Sequence, residues 1–277
     1  MGQTGTSFFG NAISGDWISG IKMDADSEYN TLFVDNSLPL HTFYSFLKLG
    51  NSVRNGHYEA LEKALGLLHM DEDQQKYYYG KRLVLTTTFF QILDACVVEK
   101  HDFNKNIHGD YDSVILHQVG TANTVEVEFI KVNDPEGWKI SVPSIKKMKE
   151  TLRTLMNARE QHEFDPNANL KIANPRDTMR NFIEQYKRWD KNGKAYVIST
   201  INLSSVDPAI WEWQAPLLSH YLLGVLDRLS KIVYQEIPND LKSKKPYVHF
   251  HHPVGNVVIA PYEVDGKIRW QFTPETL

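Results

Sequence analysis

The hydrophobic residues of the chain follow two spacings in turn, one typical of helices and one typical of strands. Phe43, Phe46 and Leu47 fall on one helical face, and two further helices are predicted over residues 58–68 and 74–98. After a polar loop, hydrophobic residues recur at every second position, which is typical of strands with one buried face. A sheet followed by a helix is predicted there, from Val114–Gln118, Thr124–Lys131, Trp138–Ser141 and the helix Ile145–Arg159.

The same order of elements recurs in the rest of the chain. Asn174 is a favourable helix cap and Pro175 a favourable first residue, so a helix is predicted to begin there. A short helix over Tyr196–Ile201 and a long helix over Pro208–Tyr234 are predicted next. The strong hairpin signal Asp265-Gly266 then joins the last two of three predicted strands, which are Tyr247–His252, Gly255–Val264 and Ile268–Phe272.

Two short segments at the ends of the two predicted sheets resemble each other. Trp138–Ile145 reads WKISVPSI and Trp270–Leu277 reads WQFTPETL, each with a tryptophan, a polar residue, an apolar residue, Ser or Thr, and then a proline. We therefore predict an α+β protein made of two tandem copies of one unit, in which amphipathic helices precede a small antiparallel sheet. Trp138 and Trp270 are predicted to be structural anchors of the two hydrophobic cores.

The domain boundaries follow from this interpretation. We predict an N-terminal arm over residues 1–35, a first repeat over 36–160, a linker over 161–173 and a second repeat over 174–277. The first repeat continues past its tryptophan motif into a helix, whereas the second stops at Leu277 after a favourable helix start. We therefore expect either that the chain belongs to a longer protein or that a partner supplies the last helix.

Composition is typical of a folded protein and argues against a nucleic-acid-binding surface. Hydrophobic residues make up 42% of the 277 residues and aromatic residues 12%, which is enough for a substantial core. The formal net charge is −4, with Lys and Arg dispersed, whereas nucleic-acid binding needs a concentrated basic surface. The single cysteine, Cys96, excludes an internal disulfide. No apolar run reaches the roughly 20 residues of a transmembrane helix.

One pair of side chains has the chemistry of a metal site. His249 and His251 are two residues apart in a predicted strand, so their imidazoles are expected on one face, where they could bind one zinc ion. A zinc site needs further ligands, which the sequence does not identify. The alternative is a pair of ordinary histidines on an edge strand. No nucleophile elbow, phosphate loop or dinucleotide fingerprint is present, so no catalytic residue and no cofactor besides zinc is suggested.

The first six residues, MGQTGT, match the pattern for N-terminal acylation at Gly2. Lipidation of Gly2 would attach the protein to a membrane surface. Short patterns of this kind also match by chance, and the alternative is an unmodified chain start.

Three segments of the second predicted repeat resemble a known family. Asn174–Ile183 (NPRDTMRNFI), Val225–Arg228 (VLDR) and Trp270–Leu277 (WQFTPETL) are together similar to a domain of some bacterial mechanosensitive channels of the small-conductance class. In those channels the domain lies outside the membrane, ahead of the channel helices. The resemblance is best over residues 174–277 and weaker over 36–145, and this chain has no channel segment. It implies an extracytoplasmic sensing or assembly module without catalytic residues.

The predicted function is a non-catalytic interaction or sensing module within a larger membrane-associated or multi-subunit assembly. The two predicted copies agree at core and turn positions and share no set of polar residues, which favours binding over catalysis. The expected partner is another protein or a second copy of this chain, with any membrane contact indirect or through a further C-terminal segment. The alternative is a metal-dependent protein, such as a hydrolase, or a small-ligand-binding protein, with its site around His249 and His251. The resemblance favours the periplasmic side, with the cytoplasm as the other location.

Overall fold

The first half of the protein, residues 36–160, packs its helices around a mixed sheet. The computed structural model describes residues 33–99, 102–103, 109–133, 135–160, 172–229, 232–264 and 266–277. The helices of the first half are α1 Pro39–Arg54, α2 Ala60–Gly66, α3 Glu72–Gln75, α4 Tyr79–Asp94 and α5 Ile145–Glu160. Its strands are β1 Leu68–His69, β2 Tyr111–His117, β3 Thr124–Asn133 and β4 Glu136–Ser141.

The sheet of the first half has the order β1-β4-β3-β2. Strands β2, β3 and β4 pair antiparallel, and β1 adds a short parallel pairing beside β4. Along β3, Val125 and Val127 are buried while Glu126 and Glu128 are exposed, which confirms the alternation expected of a half-buried strand. Strand β1 was not predicted, because two residues carry no period.

The second half, residues 174–277, has the same order of helices before strands. Its elements are α6 Pro175–Tyr186, α7 Lys194–Ser199, α8 Trp211–Arg228, β5 Tyr247–His252, β6 Gly255–Val264 and β7 Lys267–Phe272. The three strands form an antiparallel sheet in the order β5-β6-β7. A single parallel bridge between Ile201 and Phe272 lies at the outer edge of β7. The predicted α+β class is confirmed by these two halves.

Two predicted helices differ from the observed ones. The helix predicted over residues 74–98 is divided into α3 and α4, because Asp71 and Gln74 form a capping box and the extended Tyr78 begins a new helix. The helix predicted over Pro208–Tyr234 is observed as α8, which ends where the backbone of Leu229 becomes extended. Side-chain periodicity identified both regions, and local backbone geometry determined where the helices stop.

The start of α6 is hydrogen-bonded to the last strand of its own half. The hydroxyl of Thr178 donates to the carbonyl oxygens of Asn174 at 3.1 Å and of Trp270 at 2.8 Å. The backbone N–H of Trp270 donates to the carbonyl oxygen of Ile172 at 2.9 Å. The edge of β7 is therefore covered by the segment that leads into α6.

The start of α1 makes the same contacts with β4. The hydroxyl of Thr42 donates to the carbonyl oxygens of Leu38 at 2.9 Å and of Trp138 at 3.3 Å. The backbone N–H of Trp138 donates to the carbonyl oxygen of Asn36 at 2.8 Å. The two halves therefore share a local framework around a tryptophan, a threonine and a helix start. This agreement favours the predicted tandem duplication, which stays a prediction.

Both tryptophans of this framework are buried. Trp270 belongs to a core that fills the second half between α6, α8 and the sheet, with Met179, Phe182, Leu222 and Phe272 among its members. In the first half, Trp138 is buried in the sheet on which α1 packs.

Residues Asp35–Leu277 form one compact unit, in which the two halves are in direct contact. The predicted arm and linker lie almost entirely outside the described residues, and the boundaries drawn there stay predictions. In the described part of the chain, no helix has both the length and the apolar character needed to cross a membrane.

Candidate functional site

Asp94, the last residue of α4, accepts hydrogen bonds from side chains of both halves. Its Oδ2 accepts from Arg54 Nη1 at 2.6 Å. Its Oδ1 accepts from Arg180 Nη2 at 2.9 Å and from Gln235 Nε2 at 2.7 Å. Three donors thus occupy the carboxylate of Asp94, which leaves it poorly placed to act as a general base.

The charge of Asp94 depends on these neighbours. Burial by itself raises the pKa of the Asp94 carboxyl group, because the charged form loses its hydration. The guanidinium groups of Arg180, Arg176 and Arg54 together outweigh burial, and the resulting pKa lies below its usual value. Asp94 is therefore a carboxylate at neutral pH.

Arg176 lies behind Asp94 and connects backbone carbonyl groups of the two halves. Its side chain is almost completely buried, with 1% of the residue exposed. Its Nη1 donates to the carbonyl oxygen of Asp94 at 2.6 Å and its Nη2 to that of Cys96 at 2.9 Å. Its Nε and Nη2 also donate to the carbonyl oxygens of Ile237 at 2.8 Å and Gln235 at 3.2 Å. A cation placed here also stabilises the carbonyl end of α4.

Further hydrogen bonds connect α1 to the turn at Tyr234–Glu236. The hydroxyl of Tyr44 donates to Glu236 Oε1 at 2.6 Å, and Asn51 Nδ2 donates to Gln235 Oε1 at 3.1 Å. Burial, followed by the contact with Glu236, raises the pKa of the Tyr44 hydroxyl. The polar network therefore extends along α1 from Tyr44 to Arg54.

A pocket of about 760 Å³ opens beside this network. Arg54, Asp94, Asp177 and Arg180 lie at its polar side. Its apolar wall comes from α1, α2, α4 and α5 and includes Phe46, Val53, Leu61, Phe90, Leu152 and Met156. An apolar cavity of this size with a few convergent polar groups has the usual composition of a small-molecule site.

Two arginines at the pocket have N–H groups without acceptors. The side chain of Arg180 is only 8% exposed, yet its Nε has no hydrogen-bond partner among the described residues. Glu184 Oε1 lies 4.0 Å from that nitrogen, which is too far for a hydrogen bond. Arg54 is partly exposed and uses Nη1 for Asp94, leaving its other N–H groups without an acceptor in the described part of the chain.

The two histidines predicted to bind zinc lie on the edge strand β5 and have separate partners. His249 Nδ1 lies 3.2 Å from the hydroxyl of Tyr247, and His251 Nδ1 lies 2.6 Å from Asn256 Oδ1. A β-bulge between Val248 and Phe250 interrupts the alternation on which the expectation of a shared face was based. In the described residues, no group of three or more His, Cys, Asp or Glu side chains is arranged to hold a metal ion.

Burial lowers the pKa of His249, and the nearby Glu236 partly opposes this effect. The imidazole of His249 is therefore neutral at pH 7. The other predicted site residue, Gly2, lies outside the described residues, so its acylation stays a prediction.

Helix α8 carries an exposed apolar face. Trp213 and Tyr221 are 65% and 58% exposed, and Leu217 and Val225 on the same face are also exposed. The spacing of four residues places these four side chains in one stripe along the helix. Helix α4, the last helix before the sheet of the first half, packs against α5. The stripe on α8 is thus a second candidate site, one for another polypeptide.

Sequence reasoning identified neither the arginine network nor the stripe. Asp94 offered a signal, because a lone acid in the apolar run ILDACVV needs a partner if it is buried. The stripe also had a signal in the sequence, because Trp213, Leu217, Tyr221 and Val225 are spaced as a second apolar face beside the core face.

Comparison of the chain with protein-family models, curated proteins and solved structures finds no match.

Proposed function

We propose that this protein is a non-catalytic assembly module that associates with a second copy of itself through the stripe on α8, defined by Trp213, Leu217, Tyr221 and Val225. The observation that carries the proposal is the exposure of these four large apolar side chains on one helical face. Contiguous exposed apolar surface of this kind marks interaction sites, and Trp and Tyr are the residues most often responsible for binding energy.

The stripe is complementary to itself in an antiparallel arrangement. When two α8 helices pair about the midpoint between Leu217 and Tyr221, Leu217 faces Tyr221 of the second copy, and Trp213 faces Val225 of the second copy. Each contact then joins a larger side chain to a smaller one. A contact in which the same patch serves both partners is the usual form of a two-fold symmetric dimer.

The resemblance of residues 174–277 to the extramembrane domain of small-conductance mechanosensitive channels supports an assembly role, because it implies a sensing or assembly module. The occupation of the Asp94 carboxylate by three donors also supports binding rather than catalysis.

Light scattering on the chromatographed protein tests this proposal. We expect the wild-type chain of 31.9 kDa to elute with twice that mass at micromolar concentration. Leu217→Arg places a charge in the centre of the stripe and is expected to give the monomer. Val254→Arg, at an exposed position between β5 and β6, is the matched control and should remain dimeric. A monomeric wild type, or a dimer unaffected by Leu217→Arg, would overturn the proposal.

A further inference from the structure

We propose that the pocket between α1, α2, α4, α5 and α6 binds a small molecule that has an apolar body and one carboxylate group. The pocket shares no lining residue with the stripe on α8. The proposal is therefore independent of self-association, and the failure of one would leave the other intact.

The walls of the pocket determine the apolar part of the ligand. Phe46 and Val53 of α1, Leu61 of α2 and Phe90 of α4 line one part, and Leu152 and Met156 of α5 line another. Side chains of this type stabilise a ligand by removing its apolar surface from water. A volume of about 760 Å³ is within the range of cavities that enclose drug-sized molecules.

The unpaired polar groups at the pocket determine the other part of the ligand. Arg180 Nε is a buried donor without a hydrogen bond among the described residues, since Glu184 Oε1 is 4.0 Å away, and Arg54 retains N–H groups without acceptors in the described chain. A buried donor without an acceptor costs free energy, so a ligand that supplies oxygen atoms here is favoured. Both groups are donors, which selects a ligand that accepts hydrogen bonds.

A carboxylate fits these donors better than a neutral group. Its two oxygens match the planar edge of a guanidinium, and hydrogen bonds between ions are stronger than those between neutral groups. The acids already at the pocket have their own donors, since Asp94 accepts from Arg54, Arg180 and Gln235, and Asp177 Oδ2 accepts from Asn174 Nδ2 at 2.7 Å. Asp94 and Asp177 therefore do not accept hydrogen bonds from the remaining N–H groups of Arg54.

The partial exposure of Arg54 gives the carboxylate a route into the site. Its side chain is 39% exposed, so it can turn towards a ligand at little structural cost. Arg180, by contrast, is held by Asp94 and by its position over the ring of Tyr234, with the guanidinium carbon 4.9 Å from the ring centre. Arg54 is therefore the residue to change in a test.

Calorimetric titration of the full chain with dodecanoate, below the concentration at which it aggregates, tests the proposal. Dodecanol is the matched neutral probe. We expect saturable binding of dodecanoate and binding of dodecanol at least about tenfold weaker, the factor that one charge-assisted hydrogen bond supplies.

Three variants assign the binding to this pocket. Arg54→Gln is expected to weaken dodecanoate binding about tenfold and to leave dodecanol unchanged, because it removes the charge of the guanidinium while a polar side chain remains at the position. Arg153→Gln, an exposed position on α5 outside the pocket, is the control and should bind as the wild type does. Gln91→Trp, at an exposed lining position, is expected to fill the pocket and abolish binding of both probes.

The proposal is overturned by any of four results: no saturable binding, equal affinity for dodecanol, equal effects of Arg54→Gln and Arg153→Gln, or unchanged binding in Gln91→Trp. Circular dichroism establishes that each variant is folded. If Arg54→Gln does not fold, the comparison of the two probes on the wild type and on Gln91→Trp decides the question.

Discussion

Thr178 donates a hydrogen bond across 2.8 Å to the carbonyl oxygen of Trp270. In the sheet, Trp270 is opposite Pro261 in a non-hydrogen-bonded pair, so the C=O of Trp270 points away from β6. The N–H of Trp270 is likewise turned away from β6, since it donates to Ile172. Both backbone groups of Trp270 therefore depend on the segment that leads into α6, and the sheet of the second half is closed on that side by a helix start.

Replacement of Thr178 by valine should destabilise the protein. Thr178→Val keeps the shape of the side chain and leaves the buried carbonyl of Trp270 without its donor. We expect the free energy of unfolding to fall by about 1–3 kcal/mol, measured by urea denaturation. Thr154→Val, whose exposed hydroxyl donates only within its own helix, is the control and should change it by less than about 0.5 kcal/mol. Equal effects at the two positions would contradict the importance of this contact.

Gly50 marks the close approach of α1 to α4. A Cβ atom at this position would overlap the ring of Phe90. Gly50→Ala is therefore expected to lower the free energy of unfolding by about 1–3 kcal/mol, because the helices must separate or the ring must move.

Gly224 on α8 provides a matched control for Gly50→Ala. It is also inside a helix, but a Cβ there meets no described atom within 4 Å. Gly224→Ala should raise the free energy of unfolding by up to about 1 kcal/mol, since alanine is the better helix former. Because Gly224 lies on the same face as the stripe, thermal and urea denaturation would measure both variants in the Leu217→Arg background, which is expected to be monomeric. A loss of stability in both would show that α8 is more crowded than the structure indicates.

Asp94→Asn should be strongly destabilising at neutral pH. The substitution removes the charge that pairs with Arg180 at 2.9 Å, and the buried guanidinium would keep only the more distant Glu184, whose Oε1 lies 4.0 Å from Nε. We expect a loss of about 3 kcal/mol in the free energy of unfolding, as is found when one partner of a buried ion pair is removed. Asp73→Asn breaks an ion pair with Lys76 in which both side chains are largely exposed, and it should have little effect.

The effect of Asp94→Asn should depend on pH in a defined direction. The pKa of Asp94 is lowered in the folded protein, so the unfolded chain, with a pKa of about 3.9, takes up the proton more readily. The stabilisation from this group is present above that value and is lost as the pH falls through the folded pKa. The difference between wild type and Asp94→Asn should therefore shrink below about pH 4. A difference that is constant from pH 7 to pH 3 would exclude this linkage.

Metal analysis tests the zinc alternative at His249 and His251. We expect no stoichiometric zinc in the purified protein and no change in its melting temperature with a chelator. The reason is that each Nδ1 contacts its own partner, Tyr247 or Asn256, and the described residues offer no group of three ligands. One zinc ion per chain that is lost in the His249→Ala, His251→Ala double variant would instead support the metal-dependent function.

The sequence predicted the fold class well, because hydrophobic periodicity reports burial over ten or more residues. Strand β6 has the predicted bounds, since Gly and the Asp265-Gly266 turn delimit it. The same reasoning could not predict the separation of α3 from α4. That boundary depends on a capping box and on one extended residue, which have no periodic signature.

The network at Asp94 could not be predicted from local patterns, because its members are far apart in the chain. Asp94 and Gln235 are separated by 141 positions, and Asp94 and Arg180 by 86. Their contact depends on how the two halves pack, which no periodicity within either half records. The two arginines of α6, Arg176 and Arg180, lie four positions apart on a helix that is buried on most sides. Only the packing of the two halves shows that both arginines donate hydrogen bonds to Asp94 of the first half.

Arg176 determines how the protein can be divided for experiments. Its guanidinium belongs to the second half by position, yet it donates to the carbonyl oxygens of Asp94 and Cys96 in the first half. A second half expressed alone would expose this arginine or bury it with acceptors missing, and a first half alone would leave the end of α4 without its cation. The smallest fragment that reproduces the native fold therefore includes both halves, even if each half descends from a unit that once folded alone.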